Sequence, residues 1–188
     1  VVRRDAPYSQ VVRPEDLDKF IHLENGDSAQ GDRMHRLPAT LNTLGIGVST
    51  GRVVDFRVRE QIRQSPGSDT VPLIYPCHFE NGLVQWPSEA GRKPNAIMKS
   101  SVTNDLLVDA GYYVVVKRFS SKEQQRRIMA AVYDPTTIQA EQIGFENHLN
   151  YFHCDGKGLP AALAKGLALF LNSTTVDQHF RIFRPHPG

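Results

Sequence analysis

The run Tyr112, Tyr113, Val114, Val115 and Val116, bracketed by Gly111 and Ser120 in "DAGYYVVVKRFSS", constrains the fold more than any other stretch of the chain. Five consecutive aromatic or β-branched residues suit a pleated strand, and the absence of polar alternation requires both of its faces to be covered. Such a strand needs neighbours, and several segments offer themselves. "LGIGVSTGRVVDFRVR" has turn points at Gly45, Gly47 and Gly51 and a β-favouring run at Val53, Val54 and Phe56. "VPLIYP" and "LVQWP" also read as strands, which Pro72, Pro76 and Pro87 restrict to edges or short pieces. "QIGFENHLNYFHC" reads as a strand pair or one irregular strand. "QQRRIMAAVYDP" fits two patterns: Ser120 with Glu123 resembles a capping box, while Ile128, Ala130 and Val132 alternate. The expectation is a short turn, then a strand ending at Asp134-Pro135.

Near the C-terminus the period changes. In "LALFLNSTTVDQHFRIF", Leu167, Leu169, Phe170 and Leu171 are core residues, and Val176, Phe180, Ile182 and Phe183 recover helical spacing after a polar break. Two helices folded against each other account for this: Asn172 ends the first, and Ser173 or Thr174 caps the second by accepting from an orphan backbone N–H. Asp177 and Arg181, four residues apart, are placed to pair. Strands first and helices last give an α+β class, with an irregular β-rich body followed by a C-terminal α-helical hairpin.

With 188 residues, 40% of them apolar, the chain suits one compact domain. Residues 1–36 are expected to form a connecting segment with one short helix near Pro14 and a loop at "SAQGDRM", and residues 37–188 the domain proper. The start at Val1 and the end at "RPHPG" are those expected of a piece of a longer protein. The most apolar stretch, residues 159–171, is interrupted by Lys165 and is far shorter than the ~20 residues that cross a bilayer, so no membrane role is expected. Two cysteines without a repeated spacing or leader point to a reducing cytoplasm, with Cys77 and Cys154 as small buried residues.

The net charge of +2 is unevenly spread. Residues 14–32 hold six acids against Lys19, whereas residues 112–133 hold Lys117, Arg118, Lys122, Arg126 and Arg127 against Glu123. Cations leaving a stiff strand can neutralise phosphates, each contact steepening the log–log salt dependence by ~0.9. Arg57, Arg59 and Arg63 repeat the design after "VVDF". Solvated strand edges would also carry Lys and Arg, so charge alone leaves both readings open.

Catalytic signatures are lacking. "GIG" at 45–47 and "GKG" at 156–158 lack the further glycine of a dinucleotide loop, and neither a phosphate loop nor a Gly-x-Ser-x-Gly elbow occurs. The acid nearest before Lys117 is Asp109, so the acid-and-lysine pattern of a metal-dependent nuclease fails. His148, His153, Cys154 and Asp155 are zinc-ligating types, but an odd separation sends the two histidines to opposite faces of a strand. Structural hydrogen bonding is the expectation for both.

Taken together, "LGIGVSTGRVVDFR", "GYYVVVKRFSSKEQQRRIMAAVY", "IGFENHLNYFH" and "GLALFLNSTTVDQHFR" resemble the C-terminal target-recognition region of type II adenine-specific DNA methyltransferases of the TaqI-like and PstI/BsuBI-like kinds. The resemblance runs from about Leu37 to Phe183. It implies a specificity domain that reads duplex DNA and positions it for a linked methyltransferase domain. In that family the catalytic half binds S-adenosylmethionine and carries an Asn-Pro-Pro-aromatic motif. Neither "DP" at 134 nor "KPNA" at 93 replaces that motif, so this chain is expected to hold no cofactor and not to methylate alone. Carried onto this sequence, the resemblance nominates Arg57, Arg59, Lys117, Arg118, Lys122, Arg126 and Arg127 for backbone or base contacts, with Ser49, Thr50 and His78 as lesser candidates. It makes Asn172 and Ser173 a hairpin corner that is scaffold, with Leu171 filling the core and Val176 and Phe180 packing back. The alternatives are part of a restriction endonuclease or fused restriction-modification enzyme, and a non-enzymatic protein-interaction module.

Overall fold

The computed structural model describes residues 5, 7–12, 37–88, 92–121 and 123–182. The short helix near Pro14, the "SAQGDRM" loop and Lys122 lie outside the described residues. Of the first 36 residues, the described part holds one helical turn, α1 (Tyr8–Val11).

Eleven strands among the described residues form two sheets. They are β1 (Gly47–Thr50), β2 (Ile62–Arg63), β3 (Thr70–Ile74), β4 (Phe79–Glu80), β5 (Leu83–Val84), β6 (Ala96–Met98), β7 (Leu107–Asp109), β8 (Tyr113–Lys117), β9 (Ala130–Tyr133), β10 (Gln142–Phe145) and β11 (Leu149–His153). The first sheet runs β1-β11-β8-β9-β5-β4 and the second β2-β6-β3-β10-β7. The pairings are antiparallel except β5 with β9 and β10 with β3.

β8 occupies the interior of the first sheet, as its composition requires. Tyr113 and Val115 point into a core shared with Ile143 and Phe145 of the second sheet, and Val114 points the other way, against helix α2 (Ala161–Leu171). Aromatic edges fill the space between the sheets: Tyr113 meets Phe145 and Tyr151 at centroid distances of 5.4 and 5.9 Å. A third cluster, including Val53, Leu73, Tyr75 and Ile97, covers the outer side of the second sheet.

The C-terminal helices α2 and α3 (Thr174–Ile182) form the expected hairpin. Asn172 closes α2, and the Ser173 hydroxyl accepts from the Val176 N–H at 3.3 Å. Asn172 does more than turn the chain. Its side chain accepts from the Ala130 N–H at 3.0 Å and donates to the Ala130 carbonyl at 2.8 Å. β5 reaches β9 only at Val132, so the Asn172 amide takes the place of the next strand where β5 stops. Val176 is buried as expected, whereas Leu169 and Phe180, also expected to pack inward, are exposed.

Three expectations are corrected. "VVDF" is not a strand: Val53 makes one bridge to Glu146 and the chain then enters two 3-10 turns, Asp55–Arg57 and Arg59–Gln61. Gly51 sets this path, because a Cβ there would lie 2.2 Å from the Glu146 carbonyl oxygen. Pro72 does not force β3 to an edge; β3 sits between β6 and β10. Val71 and Leu73 bond toward β6 and pairing with β10 starts at Leu73, so the proline nitrogen faces a place where no ladder bond is needed. Cys77 and Cys154 are exposed, not buried. Cys77 lies in the 3-10 turn Pro76–His78, and Cys154 opens a tight turn closed by reciprocal backbone bonds with Lys157.

Candidate nucleic-acid interface

One end of the two-sheet body carries two of the nominated cations, Lys117 and Arg118. There β8 ends at Lys117 opposite the start of β11 at Leu149, and β3 and β10, which are parallel, end side by side at Ile74 and Phe145. The chain leaves β10 in the second sheet, crosses through residues 146–148 and enters β11 in the first. Glu146 pins this crossover. It is only 2% exposed, and its carboxylate accepts from the His148 backbone N–H at 3.0 Å and pairs with the His148 ring at Nδ1. The Glu146 N–H donates to the Ile74 carbonyl, and the Asn147 N–H donates to the Val53 carbonyl, so sheet and loop close on the same point.

Around this crossover lies a recess of about 320 Å³ lined by Tyr75, Pro76, Cys77, Lys93, Glu146 and His148. The Lys93 ammonium lies 4.8 Å from the Tyr75 ring centroid and pairs with Asp55 at 3.0 Å. Asp55 also accepts from the Tyr75 hydroxyl at 2.8 Å, and burial with this contact raises the Tyr75 pKa far above its ordinary value. The Cys77 thiol is likewise pushed up, by partial burial, against the pull of Lys93 and Lys117.

Lys117 is half-buried on the same strand face as Tyr113 and Val115, whereas Arg118 is exposed at the strand end. The Arg118 N–H donates to the His148 carbonyl at 2.8 Å, which ties the basic strand end to the crossover. Among the described residues neither the Lys117 ammonium nor the Arg118 guanidinium is ion-paired. Arg57 and Arg59 are exposed on the two turns after Asp55. The second turn leads into β2 at Ile62, opposite Ile97, with Gln61 bonded to Ser100, so Arg59 lies toward the Thr70–Met98 end of the second sheet and not at the crossover. Two exposed phenyl rings accompany these cations: Arg57 lies 5.7 Å from the Phe56 centroid and Arg118 5.0 Å from that of Phe119.

The remaining candidates have other engagements. Arg126 donates to the Asn172 carbonyl, and the Arg127 N–H donates to Asp177 at 2.5 Å. Arg181 pairs with Asp177 at 2.8 Å and donates to the Gln125 carbonyl at 2.6 Å. Although partial burial opposes it, these donors hold the Asp177 carboxyl below the usual carboxylate range. The β8–β9 connection is thereby fastened to the helical corner, while each arginine keeps further N–H donors. Arg63 binds the Glu60 and Ile62 carbonyls at 2.8 and 2.9 Å, along β2. Thr50 is exposed and bonded to Asn150 at 3.0 Å.

His78 is not presented to a ligand. It is 1% exposed: Nδ1 accepts from the Tyr75 N–H at 3.0 Å, and the protonated Nε2 donates to Asn95 at 3.1 Å. His153 is structural too, accepting from the Gly156 N–H at 3.0 Å and donating to the Ser49 hydroxyl at 2.8 Å, which occupies Ser49. Among the described residues, no group of three or more metal-ligating side chains converges. No helix there is long and apolar enough to cross a membrane.

Sequence reasoning overlooked Lys93, Glu146, Cys77 and Phe119 as parts of this end. Phe119 had a signal, an aromatic next to Lys117-Arg118 at a strand terminus; Lys93 and Glu146 had none, because long-range pairing alone brings them together.

The chain is 41% identical over 184 residues to "Type II methyltransferase M.PstI" of Providencia stuartii, an alignment covering 97% of this chain and 36% of that protein. It is 45% identical over 181 residues to "Type II methyltransferase M.BsuBI" of Bacillus subtilis, covering 96% of this chain and 36% of that protein. The chain therefore spans about a third of the length of the curated relatives it matches and is homologous to a part of them. No family model matches it, and no solved structure does.

Proposed function

We propose that this chain is the DNA target-recognition part of a site-specific N6-adenine methyltransferase of a restriction-modification system. In this reading it grips duplex DNA with the basic end of its two-sheet body and presents the target to a linked catalytic domain. That domain would bind S-adenosylmethionine and carry the Asn-Pro-Pro-aromatic motif that these 188 residues do not contain. The reading is supported most by homology to part of two type II methyltransferases, together with Lys117, Arg118 and Lys93 around one end of a rigid scaffold.

Each element has a division of labour under this reading. The ammonium and guanidinium groups at the ends of β8 and the 51–61 loop neutralise phosphates, which fixes register without reading sequence. Arginine forks free of carboxylates can also address guanine N7 and O6 in the major groove. The Asn172 and Asp177 corner holds the β8–β9 connection at the height of the site and touches no base. Ser49 and His78 belong to the scaffold.

The test is titration of the chain with duplex DNA at several salt concentrations, together with a methyl-transfer assay. Binding that weakens steeply with salt, without methyl transfer by the chain alone, is expected. Salt-insensitive binding, or no preference for duplex DNA over an acidic polypeptide, would favour the protein-interaction alternative.

A further inference from the structure

Phe119 is a large apolar ring left 64% exposed beside Arg118, two residues after Lys117. It is not a loose loop tip. The Arg118 guanidinium covers it at 5.0 Å, and the His148 ring meets it edge-on at 6.0 Å and 64°. His148 is itself fixed by the buried Glu146, through both its ring and its backbone N–H. The phenyl plane is thus braced, and its exposed surface faces outward beside Lys117 and the recess that Lys93 borders.

The chemistry around the ring selects its partner. An apolar protein surface closing over Phe119 would also bury Arg118, and desolvating an unpaired cation costs several kcal/mol. A nucleotide instead brings a flat aromatic face and an anion on one unit, satisfying ring and cation together. We propose that Phe119 is a stacking residue that meets the face of a nucleobase unstacked from the bound duplex, while Arg118 and Lys117 hold the neighbouring phosphates. This inference rests on the duplex-binding reading above and adds to it a specific apolar contact.

Stacking and phosphate contacts separate in their salt dependence, because only the latter releases counterions. The experiment measures duplex affinity for the unaltered chain, Phe119→Ala, Phe119→Trp and Arg118→Ala at four salt concentrations, with thermal melts to confirm folding. Phe119→Ala is expected to weaken binding about tenfold with an unchanged log–log slope, the scale of one lost base–aromatic stack. Phe119→Trp is expected to restore affinity, and Arg118→Ala to reduce the slope by about 0.9. Unchanged affinity in Phe119→Ala would overturn the assignment. So would a loss accompanied by a slope change like that of Arg118→Ala, since the ring would then only position the guanidinium. Failure of the unaltered chain to bind any duplex would instead remove the underlying reading, a distinct result.

Discussion

Replacing Asn172 by Ala removes both hydrogen bonds to the Ala130 peptide, at 3.0 and 2.8 Å, while leaving that peptide in place with Ala130 only 4% exposed. An unsatisfied buried donor or acceptor costs about 1–3 kcal/mol. Water entering the vacated space lowers the total, so about 2–4 kcal/mol is expected for the pair. In a domain of this size 1 kcal/mol moves Tm by about 2–4 °C, which places the variant about 5–15 °C lower. Asn172→Asp keeps an acceptor for the Ala130 N–H but sets a carboxylate oxygen against the Ala130 carbonyl, and should be at least as damaging. Thr50→Ala, which loses an exposed bond to Asn150, serves as control at no more than about 0.5 kcal/mol. Urea unfolding followed by circular dichroism gives the comparison, with an unchanged denaturant slope showing that stability alone has shifted. If Asn172→Ala matched the Thr50→Ala control, the amide would not be completing the sheet and the corner would need another explanation.

Other outcomes follow from the same structure. Burial pushes the His78 pKa below its ordinary value, against the raising effect of the Asn95 contact. Its contribution to stability is therefore complete above about pH 6.5 and is lost as pH falls toward the folded pKa, so the urea midpoint should decline between pH 7 and 5, less so in His78→Gln. Asp134 and Asp177, whose carboxyls are held low, contribute losses only at more acidic pH. Gly51→Ala places a Cβ 2.2 Å from the Glu146 carbonyl oxygen, and unfolding should show about 1–3 kcal/mol lost. Asp177→Asn weakens the hold of Arg181 and Arg127 on the β8–β9 connection, and limited proteolysis should cut residues 118–129 faster while the rest of the body stays protected.

Much of this architecture was legible where chemistry and neighbourhood coincide in sequence. Residues 112–116 announced a doubly covered strand because nothing polar interrupts them, and the polar break at 172–175 announced two helices because helical spacing resumes beyond it. The Asp177–Arg181 pair was local and appeared as expected. What failed depended on partners far along the chain. Val53 and Val54 have strand propensity, but Gly51 brings their backbone against Glu146 and leaves room for one bridge only. Pro72 looked like an edge marker until the register turned its nitrogen toward the unpaired start of β10. At the site, Lys117-Arg118 showed as a cluster by adjacency, whereas Lys93 joins them only through Asp55 and Tyr75.

The two cysteines provide the most direct test of the proposed orientation on DNA. Both are exposed; Cys77 borders the recess at the basic end, and Cys154 lies in the turn that follows β11 at the opposite end. Alkylation of each thiol, followed by mass spectrometry with and without saturating duplex, reports which end the DNA covers, each site being compared with its own free rate. Strong protection of Cys77 with Cys154 unaffected is the expected result. Protection of Cys154 with Cys77 still fully reactive would place the duplex at the other end and contradict the account.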